Sequence, residues 1–225
     1  MKTNIALRAD YEDRPKPGAE IVPAVDVRFR ALLPDGDWAK LPPAIQRRFS
    51  KRLANGATSV YVGEVREMRV SRLGWLLTQV LRLIGGPLPV SISAHAPSIV
   101  TVTEDIATGG QIWTRLYVRS NGFPQVIHSS KRFAGPTGLE EYIGFGIGMG
   151  LTINVVNAVL VFRSANYFVQ LGKWRIPLPS WVTPGMITVG HEELGNNRFL
   201  FTLEVVHPRF GLLVRQSAAF RESHQ

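Results

Sequence analysis

Along most of the chain, apolar and polar residues alternate with a period of two, the signature of half-buried strands. From Ser98 onward the alternation predicts strands over Ser98–Glu104, Gln111–Arg119, Gln125–Phe133, Glu140–Val156, Val159–Arg163, Tyr167–Leu171, Met186–Glu193, Arg198–Val206 and Gly211–Phe220. The pieces between them are short and carry turn chemistry: Thr108-Gly109-Gly110, Asn121-Gly122, Gly135-Pro136-Thr137-Gly138 and Gly195-Asn196-Asn197. Short connections force antiparallel neighbours, because a parallel crossover needs about a dozen residues or more. A meander this long is expected to curl into a barrel or half-barrel and so hide its edges. The predicted class is mainly β, with a few helices packed on an antiparallel sheet.

Two stretches in the N-terminal half follow the helical period instead. Leu41, Ile45, Phe49 and Leu53 recur every four residues behind Asp37, so Trp38–Leu53 reads as a helix with Arg47, Arg48 and Lys51 on its other faces. Pro42-Pro43 falls in its first turn and delays its start, and Asn55-Gly56 closes it. Leu73, Leu76, Leu77, Val80, Leu81 and Ile84 form a broad stripe over Arg72–Ile84, a second helix stopped by Gly85-Gly86-Pro87. Between the helices, Ser59–Val70 alternates imperfectly, and the offset near Gly63-Glu64 predicts a bulge. Residues 1–37 mix prolines and charges without periodicity. They read as an extended N-terminal arm with a short strand over Val25–Leu33, leaving 38–221 as a single β-rich domain.

The stretch Tyr142–Phe162 carries no charge and is long enough to span a bilayer as a helix. Its pattern argues otherwise. Gly144, Gly146, Gly148 and Gly150 alternate strictly with Phe145, Ile147, Met149 and Leu151, and Asn154 and Asn157 would lie unpaired in lipid. It reads as two buried strands joined by a hairpin turn at Asn157-Ala158.

Composition narrows the chemistry. The formal charge of +9 and pI near 10.3 favour anionic partners. The basic residues are scattered, clustering only at Arg47, Arg48, Lys51 and Arg52, with no ladder of Arg or Lys interleaved with aromatics, which disfavours nucleic acid and leaves an anionic membrane surface. The absence of cysteine excludes disulfides, thiol nucleophiles and cysteine-ligated metals. The start MKTNIALRADYEDRPKPG has early acidic residues and no long apolar run, so no signal peptide is expected and the predicted location is cytoplasmic, at most peripheral to a membrane.

Few residues suggest a site. The glycine run lacks the Gly-x-Gly-x-x-Gly order and a Walker lysine, so it is not a phosphate loop. Its bare face either lets another element pack closely or makes Gly144, Gly146 and Gly148 one wall of a ligand cavity. Trp113, Arg115 and Tyr117 share one strand face, where an arginine between aromatics can hold a carboxylate, either a ligand's or that of Glu140 or Glu141. His128 and His207 sit in the predicted sheet without metal-binding spacing, no Gly-x-Ser-x-Gly elbow occurs, and neighbouring carboxylates in Glu140-Glu141 and Glu192-Glu193 point to opposite faces. No cofactor or metal is expected. The Arg72–Ile84 helix either plugs the open side of the sheet, covers a cavity as a lid, or lies on a membrane.

Several segments together resemble a bacterial family known as domain of unknown function 4166: Leu41-Pro42 to Phe49, Trp113-Thr114-Arg115, Arg132-Phe133-Ala134-Gly135-Pro136, Ile176-Pro177-Leu178-Pro179-Ser180-Trp181 with Pro184, and His207-Pro208-Arg209-Phe210-Gly211. The likeness runs over about Leu41 to Phe220. That family is found alone or behind a saccharopine-dehydrogenase-like module, so the resemblance implies an autonomous domain and supplies no catalytic residues. This chain departs from it with Asn157-Ala158 where a glycine-rich turn is expected. The leading expectation is a non-enzymatic binder of an apolar or lipid-like small molecule, contacted by Trp113, Arg115, Tyr117, Gly144, Gly146, Gly148, His128 and Glu141. The alternatives are an enzyme or reductase accessory using Arg115, Glu141 and His128, and a peripheral membrane protein using the two helices.

Overall fold

The structure, a computed structural model, describes residues 25–85, 88–90 and 92–223. Its strands are β1 (Ser59–Val70), β2 (Pro97–Asp105), β3 (Gly110–Tyr117), β4 (Gln125–Arg132), β5 (Glu140–Gly144), β6 (Ile147–Val156), β7 (Val159–Leu171), β8 (Trp174–Pro177), β9 (Met186–Gly195), β10 (Arg198–His207) and β11 (Gly211–Glu222). They pair antiparallel in the order β6-β5-β4-β3-β2-β1-β11-β10-β9-β7, and β6 also pairs with β7, which closes a ten-stranded barrel. β8 adds to the outer end of β7.

The alternation seen in the sequence decides what lines this barrel. Trp113, Arg115 and Tyr117 of β3 point inward, as do Ile127, Ser129 and Lys131 of β4, and Phe199, Phe201, Leu203 and Val205 of β10. Outward positions of β2 to β4 mix polar residues, Thr101, Thr103, Thr114, His128 and Ser130, with Ile99, Ile112, Leu116 and Val126. The interior, by contrast, is mostly apolar, whereas the lumen of a barrel that spans a bilayer is polar. Among the described residues no helix is long and apolar enough to cross a membrane.

The hairpin expected at Asn157-Ala158 is present. Both residues are left-handed, with φ of 50° and 63°, and they join Val156 to its partner Val159. The single strand expected over Glu140–Val156 is two: Phe145 and Gly146 take φ of 49° and 73°, turning the chain so that Gly144 pairs with Ile147. Glycines every second residue fit a strand, and that regularity conceals the turn. Conversely, the strands expected over Val159–Arg163 and Tyr167–Leu171 are one strand, β7, whose register slips between its partners Gly150 and Leu151. The slip in β1 lies at Val65–Glu67, just beyond the Gly63-Glu64 offset.

Helices close the two ends in opposite ways. At one end lie α1 (Arg28–Ala31) and α2 (Pro43–Phe49). The strand expected over Val25–Leu33 is therefore a helical turn; only Val25 makes a bridge, to Lys51, and the rest of the expected arm, residues 1–24, lies outside the described residues. α2 is shorter than predicted because Pro43 starts it and Trp38–Lys40 forms a separate 3-10 turn. Phe29, Leu33, Leu41, Ile45 and Phe49 all turn inward onto Leu151, Ile153, Leu160 and Phe162.

The opposite end carries α3 (Arg72–Leu81), capped by the Ser71 hydroxyl, which accepts from Gly74 N–H, and followed by a 3-10 turn over Arg82–Ile84. α3 is seated through its small residues. Gly74 and Thr78 are buried, and a Cβ on Gly74 would collide with the Leu213 carbonyl oxygen of β11. Leu77 and Leu81 are half-buried against the core, whereas Leu73, Trp75, Leu76, Val80 and Leu83 are exposed.

Candidate functional site

The inside of the barrel holds a charged cluster in an otherwise apolar volume. Register places Lys131 opposite Glu141, and the Lys131 ammonium lies 2.9 Å from the Glu141 carboxylate. Arg115 donates to the Ser129 hydroxyl at 3.1 Å and reaches Glu141 more loosely, at 3.7 Å. Burial alone would raise the Glu141 carboxyl, but Lys131 and Arg115 outweigh it and hold the group at about 2. Burial pulls the Lys131 ammonium below the usual lysine range against the attraction of Glu141. Of the two carboxylates considered for Arg115, the inward one, Glu141, is the partner. Glu140 points outward, where Arg175 and Tyr142 bind it.

Deeper in the barrel, toward α2, the Arg48 guanidinium lies 3.8 Å from the centre of the Phe199 ring and 3.6 Å from Glu193. Its Nε and Nη1 are buried without a hydrogen-bond partner. His191 stands beside it, ringed by Phe49, Phe162, Phe199, Phe201 and Trp113. Burial, reinforced by Arg48, Lys131 and Arg115, drives the His191 pKa well below the ordinary imidazole range, so the ring is neutral and its Nδ1 has no partner. The cluster therefore sets three cations, Arg48, Arg115 and Lys131, against two carboxylates, Glu141 and Glu193, and is left with an excess positive charge.

Between this cluster and α3 lies a cavity of about 70 Å³. Ile127, Ile143, Met149, Val189, Phe201 and Leu203 form its walls; Arg115, Tyr117, Ser129 and Glu141 are its polar or amphipathic side; Leu81, Leu88 and Pro89 roof it. The roof segment is clasped by Gln125 of β4, which donates to the Leu88 carbonyl at 3.0 Å and accepts from Val90 N–H at 2.8 Å. A space of 70 Å³ holds a few waters or one small group, whereas sites for drug-sized ligands run to several hundred Å³. A longer guest requires the roof to lift. Two voids of about 10 Å³ deeper in, bordered by Tyr61, Trp113, Arg48 and His191, are each the size of a single water.

The structure brings Trp113, Arg115, Tyr117 and Glu141 into this interior and leaves the other anticipated residues outside it. Tyr117 donates to Gln216 at 3.4 Å and Trp113 to Gln111 at 3.2 Å, so both polar handles are already engaged. His128 alternates with Ile127 and Ser129 and faces outward, bonded to Thr114 at 3.0 Å. The trio Arg115, Glu141 and His128 therefore does not converge. Gly144 and Gly146 belong to the exterior turn and border, with His128, an open outer groove of about 420 Å³. Gly148 is bare because the Phe168 ring lies where its side chain would be, so the glycine face receives an outer aromatic and does not wall the cavity. The sequence does not single out Lys131 or His191, and it places Arg48 only in a basic cluster off the apolar face of the first helix, whereas the structure turns it into the barrel. The alternation did carry a signal for the first two, since each follows two inward positions of its strand.

A closed antiparallel barrel with a roofed apolar interior and a buried charge cluster is the class these features define. The chain belongs to the family described as Domain of unknown function (DUF4166), whose family model matches residues 41–220. No curated protein and no solved structure matches it.

Proposed function

We propose that the protein binds an apolar, lipid-like small molecule in the barrel interior beneath α3, with a polar or acidic head directed at Arg115. One observation carries this reading: the largely apolar cavity has its polar groups gathered on one side and is roofed by Leu81, Leu88 and Pro89, beneath a helix whose large side chains are at most half-buried. The excess positive charge of the cluster suits an anionic head, and Arg115, bonded to Ser129 and only 3.7 Å from Glu141, keeps guanidinium N–H groups for a second acceptor. The same groups favour binding over chemistry. They are arranged as ion pairs, and the inward-facing His191 lies amid aromatic rings, away from a carboxylate that could orient it as a base.

The test is organic extraction of the purified protein followed by mass spectrometry, together with thermal melts of delipidated protein in the presence of long-chain fatty acids and isoprenoid alcohols. A bound amphiphile, or a melting point that climbs with ligand concentration, is the expected result. Arg115→Leu should weaken the response to the acid more than the response to the alcohol. Absence of any extractable amphiphile together with unchanged melts would end the proposal.

A further inference from the structure

The end of the barrel bearing α3 is built like a surface that docks on a lipid bilayer. Every exposed Phe and Trp among the described residues belongs to α3 (Trp75), to a turn at this end (Phe123, Phe145, Phe210), to the start of β8 (Trp174) or to the connection from β8 to β9 (Trp181). Several protrude almost fully, Phe123 being 92% and Trp181 79% exposed. α3 itself is inverted: Leu73, Leu76, Val80 and Leu83, spaced three and four apart, form an outward apolar stripe, while Gly74 and Thr78 face the protein. Arg72, Trp75 and Arg82 flank the stripe, the composition of an interfacial helix.

The connections at this end also differ in charge from those at the other. Glu64 and Glu67 of β1 reach toward this end and are ion-paired with Arg66 and Arg69; the connections that form the end itself, residues 70–85, 118–124, 144–147, 171–173 and 207–211, carry no Asp or Glu. They include Arg72, Arg82, Arg119, Lys173 and Arg209. The opposite end mixes the two signs, pairing Asp26 with Arg28, Asp37 with Lys40, Glu104 with Arg52, Glu193 with Arg48 and Glu222 with Lys51. Apolar rings beside basic side chains, on connections that carry no acid of their own, complement an anionic bilayer better than the surface of another protein, where unpaired positive charge would need matched carboxylates.

We propose that this end is a membrane-docking face selective for anionic lipid, with the outward stripe of α3 and the aromatic turn tips entering the headgroup region. The basic residues of α2 take no part in it. Arg48 is turned into the barrel and α2 lies at the far end, so the two helices cannot share one membrane plane. The proposal stands apart from ligand binding: the docking face is made of exposed side chains, and its test does not involve the cavity.

The experiment is co-sedimentation of the full chain with vesicles of phosphatidylcholine, with and without phosphatidylglycerol, at low and high salt, with quenching of tryptophan fluorescence by brominated acyl chains. Binding should require phosphatidylglycerol, weaken with salt, and quench tryptophan emission. Lys173→Glu and Arg209→Glu should each reduce partitioning roughly fivefold or more, about the worth of one basic residue near an anionic surface. L76S/V80S should reduce it roughly tenfold or more, since each side chain loses apolar area that enters the bilayer. Because both side chains are exposed in the protein, its melting curve should be unchanged. Failure to bind anionic vesicles at low salt would overturn the proposal, as would wild-type partitioning of L76S/V80S. A lipid-free dimer dissolved by the same double substitution would also overturn it, by making a second copy the occupant of this face.

Discussion

The two ends of the barrel solve the same problem with opposite sequences. α2 presents Ile45 and Phe49 inward, where Phe29 from α1 meets Phe49 edge to face at a centroid distance of 5.3 Å. α3 buries only Gly74 and Thr78, keeps Leu77 and Leu81 half-buried and turns Leu73, Leu76 and Val80 outward. Apolar periodicity alone does not distinguish them, since both helices carry a stripe. The difference lies in which face the neighbouring strands accept, and Gly74 against the Leu213 carbonyl decides it for α3. One end is thus part of the core, and the other is a cover with little holding it.

That contrast can be broken by experiment. Phe49→Ala should cost about 3–5 kcal/mol in urea unfolding, because it empties a packed aromatic site at the plugged end. Glu141→Gln should cost about 3 kcal/mol or more, since it leaves Lys131 and Arg115 buried without their carboxylate; a Lys131→Met/Glu141→Leu double variant should recover much of that loss. Gly74→Ala should cost about 1–3 kcal/mol and raise amide exchange in α3 selectively, with α2 unaffected.

The pH dependence sharpens the same picture. The folded pKa of His191 lies far below its unfolded value, so below about pH 6.5 the unfolded chain takes up a proton that the native barrel refuses. Stability should fall there by up to about 1.4 kcal/mol per pH unit, and His191→Phe should flatten the slope between roughly pH 6.5 and 4.5. Glu141, held at about 2 against an ordinary 4.5, adds a second loss of the same sign below pH 4.5. The smallest effect belongs to the cover: Leu76→Ala should shift stability by less than about 0.5 kcal/mol, because its side chain leaves little core contact behind.

Much of this architecture was legible where one physical rule acted alone. Alternation placed the long strands and put Trp113, Arg115 and Tyr117 on a common inner face, and turn chemistry located the Asn157-Ala158 hairpin. Legibility failed where two rules coincide. The Phe145-Gly146 turn keeps the strand period, so it passed as strand. β8 contains only Trp174–Pro177, exposed throughout and ending in proline, and no burial pattern marks it. The buried charges were hidden differently. A lysine or histidine at an inward position reads as an outward residue until the partner strand that satisfies or isolates it is known, as Lys131 and His191 show.

β11 lies between β1 and β10, with Tyr61 opposite Glu222, and its Leu213 carbonyl accepts the Ser71 N–H at the start of α3. The pairing of the first strand with the last, far apart along the chain, therefore also seats the cover. Chain entropy makes such a pairing slow to find. Refolding should accordingly show the plugged end and the β2–β4 meander gaining protection early, with α3 becoming protected only when that pairing zips. Until that moment the apolar interior has no cover, which makes the assembling barrel most vulnerable to wrong association during the last kinetic phase of its own folding.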